Sequence, residues 1–169
     1  MNVYPRSLPT PEALEQLAQR HPQLDASSVR ASLALLRAAN QMSAAFGEHF
    51  ARFGLSQARF TILMVLRKQP LGMSPAQIAH AVNVTRPTVT GLLQALEQMR
   101  LVLRRTHPHD HRSNKVTLTP KAARLLDRMF PAHFRKHAAL MGGLTQAERM
   151  LLIKLLDKIR PQAVSGAPP

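Results

Sequence analysis

The sequence contains no cysteine and no tryptophan among its 169 residues, and aromatic residues make up only 4% of it. Without cysteine the chain forms no disulfide, offers no thiolate to a metal and has no thiol-based redox switch. Acidic residues are also scarce, at 9 Asp and Glu, and no Gly-rich phosphate loop, G-x-S-x-G or HExxH motif occurs. The sequence therefore predicts neither enzyme activity nor a cofactor.

Long apolar runs are missing as well. No stretch approaches the roughly 18 apolar residues that a transmembrane helix needs, and the N-terminal residues lack the apolar core of a signal peptide. We therefore expect a cytoplasmic protein that has no membrane partner.

Positive charge, in contrast, is in large excess. The 23 Lys and Arg against 9 Asp and Glu give a formal net charge of +14. Between residues 86 and 124, eight basic side chains face only two acidic ones, which leaves a net charge of +6 on that segment. A polyanion such as nucleic acid is the natural partner for this charge.

Helix start and stop signals divide the first third of the chain. Thr10-Pro11-Glu12 predicts a short helix that ends near His21, and Asp25 begins a longer one that reaches about Phe53. The longer helix has two apolar faces, which is typical of a helix that packs between neighbours. Ser56 is expected to cap a third helix to about Lys68, with a buried stripe formed by Phe60, Leu63, Met64 and the stem of Arg67.

The segment MSPAQIAHAVNVTRPTVTGLLQALEQMRLV (73–102) predicts a helix-turn-helix. Ser74 and Gln77 have capping-box spacing, and a turn at residues 83–84 leads to Thr85, a second N-cap. Val89, Leu92, Leu93 and Leu96 repeat with helical spacing and must face the core. The opposite, exposed face then carries Arg86, Thr88, Thr90, Gly91 and Gln94.

Two short β-branched segments follow, at residues 101–105 and 114–118, and they predict a β-hairpin. We expect the histidine-rich stretch THPHDHRSNK (106–115) to form its loop. A helix-turn-helix followed by a hairpin is a winged helix.

The last part of the chain predicts two more helices. One starts at Thr119-Pro120, bends or kinks at Pro131 and ends near Met141. The other is capped by Thr145 and Glu148, and it is too apolar for the surface of a monomer. The predicted fold is mainly α with a small β-hairpin wing, a winged helix-turn-helix DNA-binding lobe joined to a helical dimerisation region.

The order of these parts and their residues resembles the MarR family of bacterial multiple-antibiotic-resistance regulators over about residues 28–160. The resemblance implies a homodimer that binds a pseudo-palindromic operator in double-stranded DNA, typically as a repressor released by a small aromatic or phenolic effector. The segments that carry it are LSQARFTILMVL (55–66), VTRPTVTGLLQALE (84–97), RLVLRR (100–105), DHRSNKVTLTPKA (110–122) and GLTQAERMLLIKLL (143–156).

Composition at the two ends of the chain and the resemblance of the part between them together predict how the chain is organised. Residues 1–24 would be an N-terminal arm with a short accessory helix, and residues 161–169 a disordered tail. Residues 25–160 would form the MarR-type domain, with the dimerisation helices at 25–53 and 120–160 and the DNA-binding lobe at 56–119.

The predicted DNA contacts lie on the recognition helix and the wing. The exposed face of the recognition helix would enter the major groove. Arg112 resembles the family arginine that enters the minor groove, and Asp110 would hold it by a charge-assisted hydrogen bond. The predicted DNA-binding residues are Ser74, Thr85, Arg86, Pro87, Thr88, Thr90, Gln94, Arg104, Arg105, Asp110, Arg112 and Lys115.

A pocket for the effector is expected where the long helix, the helix at 57–68 and the helix at 119–141 meet the DNA-binding lobe. Polar groups that converge there would fix a carboxylate, with apolar residues around them. The candidate ligand-binding residues are Asn40, Ser43, His49, Arg59, Met64 and His133.

Metal binding and non-specific binding are the alternatives. Histidines 107, 109 and 111 of the hairpin fit solvated groups near phosphate better than a zinc site. His133 and His137 stand one helical turn apart, a spacing that can chelate a metal, and Glu48 and His49 would complete a site. A zinc-responsive regulator of the same fold therefore stays open, as does a non-specific nucleoid-type protein, which basic charge alone would produce.

Overall fold

The computed structural model describes residues 9–107 and 110–159, and only the backbone is described at 105–107 and 110–114. The described part is mostly helical, with one two-stranded antiparallel sheet, so the predicted fold class is confirmed. The elements in chain order are α1 (Pro11–Arg20), α2 (Ala26–Ala51), α3 (Gln57–Arg67), α4 (Pro75–Val82), α5 (Arg86–Gln98), β1 (Val102–His107), β2 (Asp110–Leu118), α6 (Pro120–Leu140) and α7 (Gln146–Lys158).

Polar N-caps set the starts of the helices, as the sequence predicts. The capping boxes Ser74–Gln77 and Thr145–Glu148 are both formed. Asp25 caps α2 by accepting hydrogen bonds from the backbone N–H groups of Ser27 and Ser28. The hydroxyl of Ser28, followed by that of Ser27, lowers the pKa of the Asp25 carboxyl to about 2, because these hydrogen bonds favour its charged form.

The core of the winged-helix lobe forms where α3, α4 and α5 meet. Val89, Leu93 and Leu96 on α5 are fully buried, as predicted, and so is Ile78 on α4. Leu92, the fourth member of the predicted face, is only half-buried.

The buried stripe of α3 differs from the prediction. Ile62 and Leu66 are buried beside Phe60 and Leu63, whereas Met64 is only half-buried. Neighbours on several sides explain the wider stripe, since α2, α4, α5 and β2 all contact α3. Arg67 is not part of the core, because its guanidinium forms an ion pair with Asp127 at 2.9 Å.

Among the described residues of the DNA-binding lobe, three have a positive φ. Asn83 takes the left-handed conformation and ends α4, and Arg100 takes it between α5 and β1. Gly72 has φ +78, and a Cβ there would lie 2.8 Å from the carbonyl oxygen of Val116. This close approach lets Met73 pair with Val116 through two backbone hydrogen bonds, N to O, of 3.0 and 2.8 Å.

The hairpin strands extend further than predicted. Val102 pairs with Leu118 and Arg105 with Lys115, and after an irregularity His107 pairs with Asp110. Most of the stretch predicted as a loop is therefore strand, because antiparallel pairing satisfies backbone groups whatever the side chains are. Val116 is fully buried, but Leu118 and Thr117 are both half-buried, so buried and exposed side chains do not alternate strictly along this part of β2.

The chain divides into two compact units, Met1–Arg128 and Met129–Pro169. α6 runs through Pro131 as a single helix. None of the α7 residues is buried, and Met150, Leu151 and Ile153 are each more than half exposed. Across residues 9–107 and 110–159, no helix combines the length and the apolar character that crossing a membrane would require.

Candidate nucleic-acid interface

The N-terminal turn of α5 is exposed and electropositive. Thr85 caps the helix, and Arg86, Pro87 and Thr88 follow it, all exposed. Unpaired N–H groups at a helix start give it a partial positive charge, which attracts phosphate. The guanidinium of Arg86 adds a full charge at the same end.

Hydrogen bonds within α5 limit what its threonines can offer to DNA. The hydroxyl of Thr90 donates to the carbonyl oxygen of Arg86 at 3.1 Å. The Oγ1 atoms of Thr85 and Thr88 lie 2.8 Å apart, so one of the two donates to the other. In this arrangement Thr90 presents lone pairs and a methyl group, which suit base amino groups and the thymine methyl rather than phosphate oxygens.

The exposed face of α5 continues one turn further with Gly91 and Gln94. A Cβ at Gly91 would meet no atom within 4 Å. Packing inside the protein therefore does not require glycine there, although glycine in the interior of a helix costs about 0.5–1 kcal/mol relative to alanine. Gly91 lies on this exposed face but is not among the predicted DNA contacts.

Ser74 acts first as a helix cap. Its hydroxyl accepts a hydrogen bond from the backbone N–H of Gln77 at 3.2 Å, and the Gln77 side chain accepts one from the N–H of Ser74 at 2.8 Å. The hydroxyl hydrogen of Ser74 is not used in this box, so it remains able to donate to a phosphate.

An ion pair connects the wing to the recognition helix α5. Arg104 on β1 donates its Nε to Glu97 on α5 at 3.0 Å, and both side chains are about one-third exposed, at 32% and 31%. The Arg104 side chain is therefore directed to α5, and both Arg104 and Lys115 are exposed. The side chains of Arg105, Asp110 and Arg112 lie outside the described residues, as does the predicted bond between the last two.

Five of the six predicted ligand residues lie on two consecutive helices. Asn40, Ser43 and His49 are on α2, and Arg59 and Met64 are on α3. The hydroxyl of Ser43 donates to the side-chain oxygen of Gln57, the first residue of α3, at 3.4 Å. His49 is buried, and its ring packs edge-on against Phe53 with the centroids 5.4 Å apart.

The sixth predicted ligand residue, His133, pairs with His137 on α6. Their Nε2 atoms are 3.2 Å apart, and the rings meet edge to face with centroids at 4.7 Å. His133 is buried and His137 is exposed. Among the residues that the structure describes, no three His, Cys, Asp or Glu side chains cluster closely enough to hold a metal ion.

Together, these elements define a class of protein. A helix-turn-helix exposes arginine and polar side chains along its second helix, and an antiparallel hairpin follows, to which Met73 is joined by an isolated β-bridge with Val116. This is the architecture of winged-helix DNA-binding proteins.

Comparison with known proteins identifies the family. Residues 53–113 match the model of the MarR family. The chain is 32% identical over 155 residues to the HTH-type transcriptional repressor YetL of Bacillus subtilis (strain 168), across 91% of this chain and 93% of YetL. It is 26% identical over 163 residues to the HTH-type transcriptional regulator PecS of Dickeya dadantii (strain 3937), across 95% and 98%. The chain therefore belongs to the MarR family of transcriptional regulators, which are not enzymes.

Solved structures agree with this assignment. BpsR of Bordetella bronchiseptica, whose DNA binding is regulated by 6-hydroxynicotinic acid, is 30% identical with a TM-score of 0.67, over 76% of this chain and 96% of BpsR. The transcriptional repressor CouR, solved on a 23-mer DNA duplex, is 30% identical with a TM-score of 0.68, over 75% and 89%.

Proposed function

We propose that this protein is a homodimeric repressor that binds a pseudo-palindromic duplex sequence and releases it when a small ligand binds. The main support for this proposal is that one face of α5 is buried in the core and the opposite face, which bears polar side chains, is exposed. Its inner residues Val89, Leu93 and Leu96 are fully buried, while Arg86, Thr90 and Gln94 are exposed. The similar proteins BpsR and CouR, one ligand-regulated and one solved on DNA, support the same function.

In the proposed complex the exposed face of α5 lies in the major groove. The guanidinium of Arg86 can bond guanine O6 and N7 or a phosphate, and the amide of Gln94 can bond adenine N6 and N7. Lys115 and the predicted wing residues, Arg105 and Arg112, would contact the backbone and the minor groove. Arg104 belongs to the predicted set too, but its ion pair with Glu97 favours a role in positioning the wing.

A dimer is supported by the apolar surface of α7. Leu151, Leu155 and Ile159 are exposed in the single chain, at a cost of about 25 cal/mol per Å² of apolar surface left in water. A second copy that covers this surface would remove the cost. Two winged-helix lobes would then face half-sites about one helical turn, roughly 34 Å, apart.

The effector site is proposed on the polar residues of α2 and α3. The Nε of Arg59 is buried and has no hydrogen-bond partner among the described residues. A buried donor without an acceptor is costly, and a carboxylate would satisfy it. We therefore propose a small aromatic acid as effector, with Arg59, Asn40 and Ser43 among the residues that would hold it. Its binding would lower DNA affinity by shifting the population towards a conformation that does not bind DNA.

The test compares duplexes of one length at one salt concentration by fluorescence anisotropy. We expect the DNA upstream of the protein's own gene to bind about a thousandfold more tightly than a random duplex. Replacing Arg86 by Ala should cost about 1–3 kcal/mol on the preferred duplex, whereas Arg20→Ala, on the exposed face of α1, should change nothing. Equal affinity for every duplex would favour the non-specific nucleoid-type alternative instead.

A zinc-responsive regulator is the second candidate, and the pair of His133 and His137 favours it. Their Nε2 atoms lie 3.2 Å apart, close to the roughly 3.3 Å between two nitrogens that are each 2.0–2.1 Å from a tetrahedral zinc ion. If zinc is sensed, DNA affinity will differ between added zinc and added EDTA, and His137→Gln will abolish the difference. Indifference of the wild-type protein to both additions excludes this function.

A further inference from the structure

The first turns of α6 carry a basic cleft of about 400 Å³ that the proposed function does not use. Its walls are the side chains of Lys121, Arg124, Asp127 and Arg128. Positions 121, 124 and 128 follow one another at i+3 and i+4, so the three cations share one face of the helix. We call this cavity the α6 cleft.

The α6 cleft holds an excess of positive charge. Its single carboxylate, Asp127, already forms an ion pair with Arg67 at 2.9 Å. Among the side chains that the structure describes, neither Arg124 nor Arg128 forms an ion pair. Like charges at this spacing repel one another, so a bound anion would relieve that repulsion.

One of the three cations is held in place by the recognition helix. The ammonium of Lys121 donates to the carbonyl oxygen of Met99, the C-cap of α5, at 2.8 Å. An ammonium has three donors, so two remain for a ligand in the cleft. Met99 lies at the opposite end of α5 from Arg86, and the helix of 13 residues separates them by about 20 Å.

We propose that the α6 cleft binds the phosphate group of a small molecule. Arginine forks match phosphate oxygens in pairs, and two or three cations match the charge of about −2 that a phosphate group carries. The cleft is open to solvent, since its four lining side chains are all exposed, so a free phosphate compound can reach it. A DNA backbone offers the same phosphate chemistry, but the distance of about 20 Å along α5 from Arg86 favours a free ligand.

Isothermal titration of the DNA-free protein with pyrophosphate tests the site directly. We expect one site per chain in the wild type, and affinity at least tenfold weaker in the double variant Arg124→Gln/Arg128→Gln. The matched control, Arg20→Gln/Arg30→Gln, removes the same charge from exposed positions on α1 and α2 and should bind as the wild type does. Absence of binding to the wild type, or equal loss in both double variants, overturns the proposal.

Thermal unfolding shows whether the substitutions impair folding rather than ligand binding. Without ligand, neither double variant should melt below the wild type, and pyrophosphate should raise the melting temperature of the wild type and the control alone. A rise of the same size in the Arg124→Gln/Arg128→Gln variant contradicts the site.

The salt dependence of binding to a random duplex separates the two sources of phosphate. If the cleft holds a free ligand, the slope of log K against log[salt] will be the same for the cleft variant and the control. A slope smaller by about 0.9 for each lost contact, in the cleft variant only, assigns the cleft to the DNA backbone and overturns the free-ligand proposal. Because the pyrophosphate titration contains no DNA, its result is independent of the proposed repressor function.

Discussion

At the scale of single residues, hydrogen bonds within α5 and between β1 and α5 determine which side-chain atoms remain available to bind DNA. The Thr90 hydroxyl donates its hydrogen to the Arg86 carbonyl oxygen, and the Nε–H of Arg104 donates to the carboxylate of Glu97. Exposure alone predicts both residues as DNA contacts. Exposure shows only that a side chain can be reached, whereas the hydrogen-bond partner shows which atoms remain free.

Gly91 gives a prediction at this scale. Gly91→Ala should raise the free energy of unfolding by about 0.5–1 kcal/mol, because alanine favours the helix and the new methyl group meets open space. It should also weaken DNA binding, since that methyl group points from the face that we place in the major groove. Denaturant unfolding and anisotropy measure the two effects.

Gly47 on α2 is the matched control for this change. It is likewise a glycine inside a helix with no atom within 4 Å of an added Cβ, so Gly47→Ala should stabilise the protein and leave DNA affinity unaltered. If both variants bind DNA equally well, the face of α5 that carries Gly91 does not approach the duplex.

At the scale of elements, the sequence predicts helix starts well and strand lengths poorly. N-caps such as Ser56 and Thr85 act through hydrogen bonds within three residues, so the local sequence contains the necessary information. The strands continue to His107 and from Asp110 because their backbones pair, and polar side chains give no sign of that pairing. The prediction for Arg67 is wrong for a similar reason, since its partner Asp127 is sixty residues away.

Asp25 makes the start of α2 sensitive to acid. Its folded pKa is about 2, below the ordinary value near 3.9, so the stability it contributes is present above that ordinary value and is lost as pH falls towards 2. The melting temperature of Asp25→Ala should therefore lie below that of the wild type by a constant amount between pH 7 and 5, and the gap should narrow below pH 4.

Asp25→Asn provides the control for this effect, because asparagine caps a helix without a titratable group. A gap between wild type and Asp25→Ala that stays constant down to pH 3 would show that the carboxylate charge does not stabilise the cap.

The ion pair between α5 and β1 yields a prediction about the wing. If Arg104 positions the wing through Glu97, then Glu97→Gln and Arg104→Gln will weaken DNA binding equally, and the double variant will add nothing further. The loss of stability should stay below about 1 kcal/mol because both side chains are partly exposed. A salt slope that falls by about 0.9 in Arg104→Gln alone would instead show a direct phosphate contact.

At the scale of the whole molecule, the amino-acid pattern of the last helix by itself indicates association. That pattern is too apolar for the surface of a monomer, and α7 indeed has no buried residue. The surface that would cover α7 belongs to a second copy of the chain, and the residue pattern of one chain does not specify which surface that is. The effector pocket stays a prediction for the same reason.

Charges placed on α7 should separate the dimer. Leu151→Glu with Leu155→Glu puts two carboxylates one turn apart on its apolar surface, and we expect a monomer in sedimentation velocity with loss of tight DNA binding. Leu71→Glu, at a loop residue that is 83% exposed, should remain dimeric. A wild-type protein that sediments as a monomer would contradict the proposed assembly.

Selection from a pool of randomised duplexes tests the central claim most directly. The account predicts that the protein enriches an inverted repeat whose half-site centres lie about 10–10.5 base pairs apart, and that Gln94→Ala relaxes the preference at one position in each half-site. A pool that remains random after repeated rounds, or a repeat that Gln94→Ala and Arg86→Ala both enrich unchanged, would contradict the assignment of α5 as the element that recognises DNA.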